Sequence, residues 1–348
     1  MYTRFQDNDI VTRQAQELVT STWTNNTNNL QVAHTASSQA NFTTATSSGH
    51  FFIEVFNEAT SSTSAEVQYS LSYGHRNGSG SPDFTNDTGS FGLGASRVIY
   101  NQYRQLHFND ETKNFTFGTH TPDDIYVINI NRSRYKQKLT LGSLNLHISG
   151  NAKGKNTQTV LHLTDDSVTN AAATVTQTNL GPVYNIVSGT NGQVLAGTTA
   201  TTQVGGSGSF GNFYPEAGLI ILNGDAFETG SLDPATNVST GNTDKNNQTL
   251  FNHISAAGHF IVDTTEEINS QFYFARARND QFNYTNNESF VDNNFNIRFE
   301  TMKLNPKVFI TTVGLYNDAF ELLGVAKLSQ PVTKDFTKEA LVRIKLDY

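Results

Sequence analysis

Apolar and polar residues alternate with a period of two along much of the chain. The clearest case is the last forty residues. Val308–Tyr316 and Phe320–Leu328 are rich in β-branched and apolar residues, with Asn317-Asp318 between them as turn chemistry. After a polar break containing Pro331, Ala340–Tyr348 sets Val342, Ile344 and Leu346 on one face and Leu341, Arg343, Lys345 and Asp347 on the other. This pattern predicts a three-stranded C-terminal meander. Further strands are predicted at Phe51–Phe56, Ala65–Tyr73, Ile125–Ile130, Leu144–Ile148, Thr159–Leu163, Phe260–Val262 and Ser270–Arg278.

Helical spacing appears twice. Ile10, Val11, Ala15, Leu18 and Val19 recur at roughly helical intervals and predict a short N-terminal helix. It leads through Trp23, the only tryptophan, into a polar arm. Val98, Ile99, Gln102, Tyr103 and Leu106 predict a second helix over Ala95–Phe108, with Ser96 as its cap.

The texture changes at about Thr164. Ala171–Thr178, Thr198–Gly211 and Gly230–Asn247 are Gly/Thr/Ser/Asn-rich, with short strand patterns at Val183–Val187 and Gly218–Leu222 between them. The expected organisation is therefore an N-terminal helix and extended arm (1–49), a β body (50–163 plus 250–348) and a loop-rich insertion or small subdomain (164–249). The fold class expected is mainly β. Antiparallel sheets form a sandwich-like body, with one or two short helices and long Gly/Thr/Asn-rich loops.

Composition narrows the chemistry. The 348 residues contain no cysteine, which excludes disulfides, thiolate metal sites and a cysteine nucleophile. Only 16% of residues are charged and the net charge is −8, so no basic patch marks a nucleic-acid partner. The one positive run, Arg132, Arg134, Lys136 and Lys138, reads as the solvated face of a strand. No apolar stretch approaches a membrane span, and Met1–Thr20 lacks the apolar run of a secretory leader. Membrane insertion is not expected.

No catalytic constellation stands out. His253 and His259 are six apart, which matches no metal-ligand spacing. Asp123-Asp124 and Asp165-Asp166 read as turn acids. The glycine-rich loop Gly74–Pro82 lacks the Gly-Lys-Ser/Thr ending of a phosphate cradle. No cofactor and no enzymatic activity are expected. The aromatic content is high, with 24 Phe and 13 Tyr, and a share of these suits subunit interfaces.

Several stretches resemble one known family. VFITTVGLYNDAFELLGVAKLSQPVTKDFTKEALVRIKLDY at the C-terminus is similar to the closing segment of virion structural proteins of T4-like cyanophages and related myoviruses. The resemblance extends to YSLSYGHRNGSGS, SRVIYNQYRQL, DDIYVININRSRYKQKL, GPVYNIVSG and DIVTRQAQELVTSTWT, so it covers most of the chain. The Gly314-Leu315-Tyr316-Asn317 to Glu321-Leu322-Leu323 pattern also resembles the meander of phage tail-fibre attachment modules.

The resemblance implies a structural component of a contractile-tailed particle in the virion tail. A baseplate wedge position comes first, with fibre attachment, neck/collar or receptor binding as alternatives. It brings no catalytic residues. The implied partners are other tail or baseplate proteins and further copies of the chain. Ile10, Val11, Leu18, Val19 and Trp23 are the candidate assembly anchors.

Overall fold

The computed structural model describes residues 3–26, 42–44, 51–58, 61–78, 95–150, 160–169, 176–195, 208–227, 245–284 and 288–348. The strands are β1 (Ile10–Ser21), β2 (Phe42–Thr44), β3 (Phe52–Phe56), β4 (Val67–His75), β5 (Asp124–Ile130), β6 (Lys138–Leu139), β7 (Asn145–Ser149), β8 (Val160–Asp165) and β9 (Thr176–Thr178). They continue as β10 (Gly181–Thr190), β11 (Gln193–Val194), β12 (Gly211–Tyr214), β13 (Leu219–Asn223), β14 (Phe260–Ile261), β15 (Asp263–Ala277), β16 (Val308–Tyr316), β17 (Leu322–Lys334) and β18 (Ala340–Asp347). Three helices are described, α1 (Ala95–Phe108), α2 (Lys245–Ala257) and the one-turn α3 (Glu300–Leu304). The mainly-β, antiparallel expectation holds.

The chain divides into two compact units, Leu18–Glu266 and Met1–Glu17 with Glu267–Tyr348. In the first, one sheet runs in the order β14-β7-β8-β10-β12-β13-β5-β4-β3-β2, antiparallel throughout, with β9 and β11 pairing β10. Its central strands β5 and β13 are apolar runs because both of their faces are covered. Ile125, Val127, Leu219 and Ile221 face out, against Ile99, Tyr100 and Tyr103 of α1. Tyr126, Ile128, Ile220 and Leu222 face in, with Leu250, Phe251 and Ile254 of α2.

The sandwich-like body is realised by one sheet curling on itself. Helix α2 packs against β7 and also against β3 and β4, which lie far apart in the strand order. Tyr69 of β4 meets Phe260 of β14 edge-on at 5.4 Å. Trp23 lies at this seam, 4.9 Å from the Phe260 ring and 6.1 Å from Tyr69, and its Nε1 donates to the Phe260 carbonyl at 2.9 Å. Gly74 admits α1 to the outer face: a Cβ there would stand 2.9 Å from the Tyr100 backbone nitrogen.

Several expectations are corrected. The predicted N-terminal helix is strand β1. Its Ile, Val and Thr residues are stiff at χ1 and favour extended backbone, and pairing with β15 outweighs the approximate helical spacing. The segment 164–249 is no separate subdomain. β10, β12 and β13 stand mid-sheet, joining β8 to β5: the short strand patterns at Val183–Val187 and Gly218–Leu222 are strands of the main sheet. Most of its Gly/Thr-rich stretches, like most of the arm over 24–49, lie outside the described residues. Nor do residues 267–348 share a unit with 50–163.

In the second unit the meander is replaced by two pairings. β16 and β17 form a two-stranded ribbon, whereas β18 pairs β15 from Ser270↔Asp347 to Ala277↔Ala340. β17 continues through Pro331 because the ladder breaks there, between Ile310↔Val332 and Thr312↔Lys327. A small core forms from Leu315, Val342 and Ile344, with Tyr273 and Ala275 of β15 packed against it. The predicted alternation of β18 appears as inward Val342 and Ile344 and outward Arg343, whose guanidinium lies 5.2 Å from the Phe272 ring centre, whereas Leu346, expected on the inward face, is exposed.

Candidate functional site

Strand β1 presents the first candidate surface. Every residue from Ile10 to Val19 whose side chain is described is exposed, on both faces of the strand. Ile10, Val11, Leu18 and Val19 are 36%, 47%, 46% and 46% exposed. Among the described residues β1 pairs only with β15, so its other edge is open. The structure thus places four of the five predicted anchors together on one open strand. Trp23 is corrected: at 2% exposed it is a core residue of the seam described above, unavailable to a partner of the folded chain.

The β16–β17 ribbon presents the second surface. Asn317 shapes its turn: the Glu321 backbone N–H donates to the Asn317 side chain at 2.8 Å, and the Asn317 amide donates to the Glu321 carboxylate at 2.7 Å. Phe320 takes a left-handed φ of 63° at the tip. One face of the ribbon packs Val313, Leu315, Ala326 and Leu328 onto the small core. The remainder leaves Phe320, Leu322, Leu323 and Val325 between 54% and 71% exposed. Large apolar side chains exposed so close together in sequence make the ribbon a candidate interaction surface. These residues lie in the apolar run Phe320–Leu328, and none of them is among the expected anchors.

The candidate acids and cations are held in hydrogen bonds and ion pairs. Asp165 and Asp166 are buried, and burial raises both carboxyls above the usual range. Asp165 accepts from the Gly142 backbone N–H at 2.8 Å, and Asp166 accepts from the backbone and side-chain nitrogens of Asn185 at 2.8 and 3.0 Å. They fasten turns. Asp123 pairs with Arg76, and His120 pairs with Asp225. The positive run does not share a strand face: Arg132–Arg134 is a 3₁₀ turn. Arg134 reaches Glu66 at 2.7 Å within a shallow polar groove of about 470 Å3, lined also by Thr24, Tyr135 and Lys136. The Thr24 hydroxyl and Arg134 hold the Glu66 carboxyl below its ordinary range.

The histidines regroup. His253 bonds Ser149, whereas His259, just before β14, stacks on His147 of β7, which in turn meets His162 of β8. Ring centres are 3.9 Å apart for His147–His162 and 4.3 Å for His147–His259. His147 and His162 are direct cross-strand partners. Buried Asn145 donates from Nδ2 to His259 Nε2 at 2.9 Å and accepts at Oδ1 from His147 Nε2 at 3.1 Å, an arrangement that suits neutral rings. Burial, and then His162 and His259, pull His147 down to about 4. Among the described residues no group of three or more His, Cys, Asp or Glu is arranged to hold a metal ion. No described helix is long and apolar enough to cross a membrane.

No family model, curated protein or solved structure matches the chain.

Proposed function

We propose that the chain is a structural protein of a contractile-tailed phage particle, a tail or baseplate (wedge) component that acts by subunit assembly. The carrying observation is the pair of open surfaces on β1 and the β16–β17 ribbon, where apolar side chains stand uncovered on strands. A two-stranded ribbon gains little from its own ladder and is stabilised by whatever it packs against. Open strand edges take further strands by β-augmentation. Low charge supports the reading, since few ions need be desolvated when such surfaces close. The resemblance of the motifs to virion structural proteins supplies the particle. Its partners on this reading are copies of itself and other tail proteins, with neither nucleic acid nor membrane insertion required.

Quantitative mass spectrometry of purified particles tests this. The expected result is the chain at a fixed stoichiometry with tail components. Its absence from particles that contain a complete tail would overturn the reading. A receptor-binding role has one observation in its favour, the exposed aromatic tip at Tyr316 and Phe320. Specific retention on a glycan array, abolished by Phe320→Ser, would move it ahead.

A further inference from the structure

Strand β1 is close to being its own antiparallel complement. Take Ala15 as a centre and fold the strand back on a second copy. Arg13 then falls opposite the second copy's Glu17, and Glu17 opposite its Arg13. Val11 falls opposite Val19 at both ends, and these pairs lie on the same face as the charges. Thr12 meets Leu18 on the other face.

We infer that the open edge of β1 pairs antiparallel with β1 of a second copy of this chain, about a two-fold axis through Ala15. The inference rests on the assembly reading above and names the partner of one of its surfaces. Three observations carry it. The edge is open among the described residues and the strand is exposed on both faces, so a neighbour is not blocked by a covering layer. Arg13 and Glu17 lie four residues apart, about 13 Å along a strand, too far to satisfy one another directly. Among the described residues neither has an ion-pair partner within the chain. Most decisively, the charges are opposite at equal distances from the centre, which is what a two-fold interface requires and an unrelated strand would not. A parallel, in-register pairing would instead place Arg13 on Arg13 and Glu17 on Glu17, which is repulsive.

The chain has no cysteine, so one introduced thiol reports the geometry without interference. At the axis the two Ala15 Cβ atoms would stand about 5 Å apart, within reach of a disulfide after slight adjustment. Full-length Ala15→Cys is expected to form a covalent dimer under mild oxidation. Thr12→Cys, whose copies would be about 20 Å apart, is expected to remain uncrosslinked. Charge variants supply the second arm, read by sedimentation velocity. Arg13→Glu and Glu17→Arg should each weaken self-association about ten- to a hundredfold, because two like-charge pairs replace two opposite ones. An equimolar mixture of the two variants, and the double swap in one chain, should both restore it. Equal crosslinking at Ala15 and Thr12, a wild-type protein monomeric at all concentrations, or charge variants that associate as wild type would overturn the pairing. Failure here with the chain present in particles would leave the assembly reading intact. Crosslinking at Ala15 with the chain absent from particles would remove that reading and leave the pairing.

Discussion

The two units spend their apolar residues differently. In Leu18–Glu266 the sheet curls around α2 and carries α1 on its outer face, so its central strands are buried on both sides. In the other unit the β16–β17 ribbon and the β15–β18 pairing share a small core and leave Phe309, Phe320, Leu323, Val325 and Leu341 more than half exposed. Both are built from antiparallel strands. Closure makes the difference: a sheet that curls supplies its own second layer, and a two-stranded ribbon must find one elsewhere. Substitutions should therefore act on folding in one unit and on association in the other.

The largest folding effect is expected at Trp23. Trp23→Ala empties the seam between Tyr69 and Phe260 and removes the bond to the Phe260 carbonyl. A loss of about 3–5 kcal/mol is expected, read as a shift of the urea midpoint by far-UV circular dichroism. A shift below about 1 kcal/mol would mean that the sheet closes without this staple.

Next comes Gly74. Its φ is ordinary, and the constraint is space, because a side chain there meets the Tyr100 backbone. Gly74→Val should cost about 1–3 kcal/mol by lifting α1 from the sheet. Trp23 is the only tryptophan and is buried in this unit, so its fluorescence follows the unfolding directly. An unchanged midpoint would show that α1 is not held at this contact.

Acidification should weaken the same unit through the histidine ladder. His147 titrates near 6.5 when unfolded and about 4 when folded, for the reasons given above. Between these values the unfolded chain binds a proton that the folded chain refuses. The stabilising effect of the neutral ring is therefore complete above about pH 6.5, declines as pH falls towards 4, and changes no further below that. His107, which burial also pulls down to about 4, adds to the same window. Because His147 is partly exposed, its share of this change is about 1–2 kcal/mol. His147→Gln should flatten the pH dependence of the urea midpoint across that interval. A slope identical to wild type would remove the ladder from the account.

Much of this division was legible in the chain. The alternation at Val342 and Ile344 correctly gave an inward face, and helix α1 was predicted at its observed bounds because Ile99 and Tyr103 repeat at helical spacing. What failed was non-local. Sequence pattern says that β18 is a strand, but its choice of β15 over β17 depends on residues some seventy positions away. Helix α2 went unread because Asn246, Asn247 and Asn252 are weak helix formers; its helicity is supplied by Leu250, Phe251 and Ile254 packing inside the curl. Trp23 looked like an anchor because it follows the apolar residues of the predicted N-terminal helix, and the packing of Tyr69 and Phe260 from distant parts of the sheet buries it. The His147–His162 pair was foreseeable as an outward position in each of two adjacent strands; the third ring, His259, was not.

The smallest folding effect, and the sharpest contrast, is expected on the ribbon. Leu323 and Val325 are apolar residues of β17 that are 71% and 59% exposed. Leu222 in β13 is fully buried, and truncating it to Ala should cost about 2–5 kcal/mol. Leu323→Ser together with Val325→Thr removes comparable apolar surface from the ribbon, yet the folded chain loses almost no burial. Its effect on the tryptophan-monitored midpoint should stay within about 0.5 kcal/mol. If the exposed face is an interface, the same double variant will lower incorporation into particles, measured as the ratio of variant to wild type when both are supplied together. Equal incorporation would show that the ribbon's apolar face is covered by nothing in the assembly, and would leave the open edge of β1 as the surface on which assembly depends.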